Sequence, residues 1–435
     1  MRRSTTKSAK LFRESLEFMT GGVHSNYRYR EPHPIYFSHA KGAYVWDIDG
    51  NKYVDCNCNM GTCILGHAHP KVIRAVRRQL ESGLTNGLES QLSIRVAERL
   101  HDMIPCAEIV KFCNTGTEAV MHAVQIARSC SGKDRIAKLE GGYDGTYDDV
   151  FVSTHPTLED AGPADNPANV PSTSGLGECS KKTVIVPFNN IEDTTRIIRE
   201  HRDELAAIIM EPVMFNAGCV LPDLEYLKAM RELTNDLDII LIFDEIITGF
   251  RMAPGGAQEY YGIVPDMSTL AKAIANGFPL AAVVGKREIM NVTDPKTGKS
   301  TFNGTYNGHQ ISLAAADATL AELKTGRIQR QLHNASDWLG KHFEETASKV
   351  GASAVMQGIA GKFQVYFVNE KPHDYRAAMS ADSEKYAAYY KSMLEAGILI
   401  NRPTTSHQGL TSAHTRNDLD AIITGMKKAL ESSKR

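Results

Sequence analysis

The sequence predicts an α/β fold: a large domain with a mostly parallel sheet covered by helices, plus a smaller α+β domain built from both termini. Between residues 105 and 290, short β-branched runs alternate with longer stretches whose apolar residues recur at helical spacing, the pattern of repeated strand–helix–strand units. Several of the short runs are apolar on both faces, as a sheet covered on each side requires. The 435 residues also suffice for two to four structural units at the usual ~100 to 200 residues each.

Taken in order, residues 1–75 are expected to join the small domain, with Ala43 to Val54 forming strand, turn and strand around Asp49-Gly50. Residues 76–315 form the large domain. Its candidate strands are Ile109 to Cys113, Arg135 to Lys138, Thr183 to Pro187, Ala206 to Met210, Asp238 to Phe243 and Ala281 to Val284. His155 to Lys182 has neither period and holds Pro156, Pro163, Pro167 and Pro171 among small polar residues, so it reads as a long loop. Loops of that length are functional lids or disordered insertions, and 155–182 is carried forward as a lid. Residues 316–435 form the C-terminal small domain. A helical pattern runs over Ile311 to Leu323, and Gly358 to Val368 and Gly397 to Ile400 read as strands between helices.

Composition excludes several classes. Lys and Arg total 49 against 51 Asp and Glu, a net charge of −2, without the basic excess that a nucleic-acid binder needs. The longest apolar runs, such as Phe278 to Val284, fall far short of the roughly 20 residues that cross a bilayer. The eight cysteines lack paired spacing and read as reduced thiols, and the C-x-C-x4-C group at Cys56, Cys58 and Cys63 lacks the C-x2-C pairs of a zinc knuckle. The basic start, from Arg2 to Arg13, is not followed by an apolar signal segment, so a cytoplasmic protein with no metal is expected.

Three short segments carry chemistry. Asn114-Thr115-Gly116-Thr117-Glu118 follows a strand and opens an apolar-periodic helix, a place where backbone N–H groups and the helix dipole favour an anion. Thr115-x-x-Glu118 is equally an ordinary capping box. Asp244-Glu245 stands at the carboxyl end of a buried strand, the edge where open α/β sheets bind ligands, and a carboxylate there can orient a cationic ring nitrogen or serve as a helix cap or as an ion-pair partner of Arg251. Lys272 lies among small and apolar residues in Ser268-Thr269-Leu270-Ala271-Lys272-Ala273, surroundings in which a lysine loses its proton readily and can act as a Schiff-base nucleophile. Together, in this order, they match what pyridoxal phosphate needs from a protein.

From about Gly21 to the C-terminal helix the chain resembles the class III aminotransferases of pyridoxal-phosphate fold type I, in particular the branch around glutamate-1-semialdehyde aminomutase. The ordered set that carries the resemblance includes Gly21-Gly22-Val23-His24-Ser25-Asn26-Tyr27-Arg28, Trp46-Asp47-Ile48-Asp49-Gly50, Leu65-Gly66-His67-Ala68-His69-Pro70, Asn114 to Ala119, Gly142-Tyr143, Glu211-Pro212-Val213, Asp244 to Arg251, Lys272 and Gly304-Thr305. It implies pyridoxal 5'-phosphate held as a Schiff base by Lys272, which also shuttles the proton. Asp244 would hold the pyridine nitrogen protonated. Gly116 and Thr117, with Thr115 in place of the usual serine, would form the phosphate loop, joined by Thr305 of the neighbouring subunit in a homodimer with its active site at the interface. Tyr143 and Ile246 would cover the two ring faces, Asn216 would lie near the ring hydroxyl, and Arg28 would hold a substrate carboxylate.

Departures from the family pattern bear on the reaction. Asp144 stands where histidine usually follows the stacking tyrosine, and His309-Gln310 where Asn-Pro is more usual. Arg402 has no clear counterpart in the aminomutases, whereas related amino-acid aminotransferases carry an arginine nearby; it is a candidate second carboxylate clamp or a surface ion-pair residue. Arg402 and a lid unlike the aminomutases' favour an aminotransferase that moves an amino group from an amino acid or carboxylate-bearing amine to a 2-oxo acid. Glutamate-1-semialdehyde 2,1-aminomutase, an amino-acid racemase or epimerase, and a binding protein on an inactive scaffold are the alternatives.

Overall fold

The computed structural model describes residues 3–84, 87–402 and 404–433. After the helix Thr6–Ser15, three short strands, β1 (Phe37–Lys41), β2 (Tyr44–Asp47) and β3 (Lys52–Asp55), form an antiparallel meander. The next seven form the central sheet: β4 (Ile109–Cys113), β5 (Arg135–Leu139), β6 (Val184–Val186), β7 (Leu205–Met210), β8 (Ile240–Asp244), β9 (Met267–Leu270) and β10 (Ala281–Gly285). Their order is β4-β10-β9-β8-β7-β5-β6. All pairings are parallel except those of β10, which runs antiparallel to both β9 and β4. Every residue of β7, β8 and β10 is buried, because helices cover both faces.

The four remaining strands, β11 (Val355–Ile359), β12 (Lys362–Tyr366), β13 (Ile398–Leu399) and β14 (Gln408–Gly409), lie in the C-terminal third. The single strand expected over Gly358 to Val368 is instead half of a hairpin. Ala360 and Gly361 take φ values of 52° and 77° and together reverse the chain, joining β11 to β12. β13 pairs in parallel with β3, so the first strands and the C-terminal third share one sheet. β9 escaped the sequence reading because Ser268 and Thr269 break its apolar run. Both are fully buried, and their hydroxyls donate to the Phe243 carbonyl (3.0 Å) and Asp244 Oδ1 (3.2 Å).

The segment 155–182 is irregular apart from a short 3-10 turn, Glu178–Lys182, and it is tied down along its length. The Arg376 guanidinium pairs with both oxygens of the buried Glu140 (2.7 and 3.0 Å) and donates to the carbonyls of Ala161, Gly162 and Pro163. Among the described residues no helix is long and apolar enough to cross a membrane, and the cysteines form no disulfide.

Candidate active site

Because β4, β5, β7, β8 and β9 run in one direction, their carboxyl ends meet at a single edge of the sheet, and a cavity of about 320 Å³ opens there. Each strand delivers one element of its wall. After β4, the helix Gly116–Ser131 starts with a complete capping box: Glu118 N–H donates to Thr115 Oγ1 (3.2 Å), and Glu118 Oε2 accepts from the N–H of Thr115 (2.8 Å) and Asn114 (2.7 Å). The N–H groups of Gly116 and Thr117, in the first turn, have no acceptor within the helix and line the cavity. A Cβ on Gly116 would stand 2.6 Å from Ile246 Cδ1, so the glycine keeps this mouth open. The capping-box and anion-cradle readings are therefore compatible: the box satisfies the donors of Asn114, Thr115 and Glu118 and leaves those facing the cavity.

Asp244 closes β8 and is almost fully buried. Its Oδ1 accepts from Ile246 N–H (2.9 Å) and the Thr269 hydroxyl (3.2 Å), which fixes the carboxyl on the cavity wall. Burial, then the neighbouring carboxyls of Asp144 and Glu211, push its pKa far above the usual carboxylate range. Such a site is suited to a cationic partner that would relieve the cost. Lys272 follows β9 with φ at 47°, a left-handed conformation uncommon for a side-chain-bearing residue and found where function holds the backbone in place. Burial lowers its pKa to about 8, against the raising effect of Asp244 and Glu211; Arg251 lowers it further.

Tyr143 and Ile246 line the cavity, as does Asn216, whose amide donates to the Tyr143 carbonyl (3.4 Å). Glu211, at the end of β7, accepts from the N–H of Tyr143 and of Asn216 (3.3 Å each), locking the Tyr143 and Asn216 segments together. Burial, then Asp144, lifts its pKa to about 7. Glu211 received no role from the sequence, nor did Lys138, a lysine near the carboxyl end of β5. The Lys138 ammonium is fully buried. It donates to the carbonyls of Gly142 (2.8 Å) and Val152 (2.9 Å) and stands 3.6 Å from Asp144 Oδ2.

Thus Thr115, Gly116, Thr117, Tyr143, Asn216, Asp244, Ile246 and Lys272 meet at one cavity. Three further candidates do not enter it within this chain. Thr305 is exposed, on a loop tied to the cradle by the Asn114 amide, which donates to Asn307 Oδ1 (3.2 Å). Arg28 is exposed on the 3-10 turn Asn26–Arg28. Arg402 lines a second cavity of about 520 Å³, together with Tyr27, Arg30 and His155. The His155 ring hydrogen-bonds to the carbonyl of Asn216 on the first cavity's wall, so the two cavities share a partition.

The donor set fits pyridoxal phosphate: a helix N-terminus for a phosphate, a buried carboxylate for a ring nitrogen, and an amine of lowered proton affinity. The family description "Aminotransferase class-III" matches residues 26–430. Glutamate-1-semialdehyde 2,1-aminomutase of Methanocaldococcus jannaschii is 39 % identical, with 98 % of each chain covered. The omega-transaminase of Sphaerobacter thermophilus superposes with a TM-score of 0.94 at 31 % identity, again over 98 % of each chain. A solved transaminase with bound pyridoxal phosphate superposes with a TM-score of 0.90 at 29 % identity, over 99 % of this chain and 98 % of the other.

Proposed function

Since the chain belongs to the class III aminotransferases, whose cofactor is pyridoxal 5'-phosphate, we propose that it moves an amino group from an amino acid or carboxylate-bearing amine to a 2-oxo acid. The observation that carries this reading is the convergence of Lys272, Asp244 and the Gly116–Thr117 helix start on one cavity. When bound, the cofactor supplies an aldehyde for the amino group and a ring that spreads electrons released at the donor carbon. Lys272 Nζ would hold it, and its lowered proton affinity suits Lys272 to take and return a proton near neutral pH. Gly116 and Thr117 would hold the phosphate, Asp244 would keep a proton on the ring nitrogen, and Tyr143 and Ile246 would exclude water from the ring faces. Thr305 would complete the phosphate site from the second subunit of a homodimer, and Arg28 is offered as a substrate-carboxylate ligand.

Arg402 and Arg30 in the adjoining cavity support a reaction with two carboxylate-bearing substrates, because a guanidinium pairs with a carboxylate through two hydrogen bonds. The 39 % identity to the Methanocaldococcus jannaschii aminomutase supports a second reading, isomerisation of glutamate 1-semialdehyde. Visible absorption of the holoenzyme separates them. Bleaching by one amino acid from a panel, reversed by 2-oxoglutarate or pyruvate, is the expected result. If no donor and oxo acid exchange the amino group while glutamate 1-semialdehyde is isomerised, the aminotransferase reading is wrong.

A further inference from the structure

Three carboxyls, Asp144, Glu211 and Asp244, crowd beneath the cavity with exposures of 2, 4 and 4 %, and the fully buried Lys138 ammonium is set against Asp144. A buried carboxylate is costly unless paired, and three together cannot all be ionised. The arrangement around Asp144 settles which group keeps its charge. Asp144 Oδ2 faces the Lys138 ammonium at 3.6 Å, and Lys138 is itself held by the Gly142 and Val152 carbonyls. Asp144 Oδ1 is buried without an N–H or hydroxyl donor, and the Asp244 carboxyl lies within hydrogen-bond reach of Asp144. Glu211 accepts two long backbone N–H bonds and makes no ion pair at contact distance. We infer that Asp144, kept anionic by Lys138, is a positioning residue that adds a second negative charge behind Asp244 and so raises the proton affinity of the cofactor's ring nitrogen.

The inference rests on the placement of Asp244 at that nitrogen. The titratable groups facing Asp144 are Lys138, Glu211, Asp244 and the Tyr143 phenol. Burial lifts Asp144, and Lys138, then Asp244, oppose it; burial lowers Lys138, and Asp144 and Glu211 oppose that. Each member of the pair therefore depends on the other for its charge. An added charge within a few ångströms of a buried pair shifts a proton equilibrium by about tenfold or more. Removal of Lys138 leaves Asp144 without a counter-ion, and Asp144 then takes up a proton and ceases to act on the ring.

The test uses holoenzyme loaded with pyridoxal phosphate isotopically labelled at the ring nitrogen, whose NMR shift reports protonation directly across a pH series. In Asp144→Asn, nearly the same shape without the charge, the nitrogen should lose its proton at about tenfold lower hydroxide concentration than in the wild type. Lys138→Met should reproduce that shift, and the double variant should go no further. An unchanged ring nitrogen in Asp144→Asn, or a higher proton affinity in Lys138→Met, overturns the inference. Should Lys138→Met not fold, Asp144→Asn decides alone. Asp244→Asn is the control: if it leaves the nitrogen unaltered, the placement of Asp244 is at fault, whereas a response to Asp244→Asn without one to Asp144→Asn refutes only the role of Asp144.

Discussion

An ordinary lysine releases its proton at 10.5, whereas Lys272 is brought to about 8, so at pH 7 about a tenth of it is free amine against roughly three molecules in ten thousand for the ordinary side chain. The difference, about 300-fold, comes from burial, offset in part by the carboxyls of Asp244 and Glu211. It can be measured on apoprotein by brief acylation from pH 6 to 11 and quantification of the labelled Lys272 peptide, with exposed Lys296 as internal standard. The labelling midpoint of Lys272 should lie near pH 8. Asp244→Asn removes a group that raises the value, so the midpoint should move lower still. Labelling of Lys272 in step with Lys296, or an upward shift in Asp244→Asn, would refute the assignment of this cavity as the cause of lysine activation.

Three further outcomes are expected. Burial opposes protonation of His67, but its 2.7 Å bond to Asp55, with Cys63 beside it, prevails and lifts its pKa from 6.5 to about 10. A value raised on folding stabilises fully below the unfolded pKa and is lost as pH rises through the folded one, so the thermal-stability gap between wild type and His67→Gln should be widest below pH 6.5 and close toward pH 10. Arg376→Ala leaves buried Glu140 without its cation and should cost about 3 kcal/mol in denaturant unfolding, with new protease cleavage within residues 155–182. Gly141 has φ at 77°, and a Cβ there would stand 2.1 Å from Tyr375 Cδ2, so Gly141→Ala should lower stability by about 2–4 kcal/mol where Gly50→Ala, which meets open space, costs about 1 kcal/mol.

The strands of the central sheet were legible because burial on both faces leaves uninterrupted apolar runs, and β4 was read to the residue. β9 was not, since two hydroxyls satisfied by the neighbouring strand look polar in a sequence while being buried in the fold. The residues that line the cavity were legible as an ordered set of motifs, each of which was ambiguous alone. Lys138 was hidden because a lysine at a strand end normally reaches solvent, and only the packed loop carrying Gly142 and Val152 turns it inward. Arg28, Arg402 and Thr305 lie outside the first cavity, and strand and helix periodicity carries no information on where such residues stand relative to a site.

The antiparallel insertion of β10 has a mechanical consequence. β9 leads into Lys272, the chain returns as β10, and β10 pairs with both β9 (Ala282 with Leu270) and the strand that leads into the Gly116–Thr117 helix start (Ala281 with Cys113). The amine and the anion cradle thus hang from opposite edges of one strand, like the two jaws of a caliper whose beam is β10. Loops around the cavity can lengthen, shorten or change charge without resetting the gap between the jaws. Chemistry and substrate choice can therefore diverge independently on this scaffold, while any slip of β10 would disturb amine and anion sites at once.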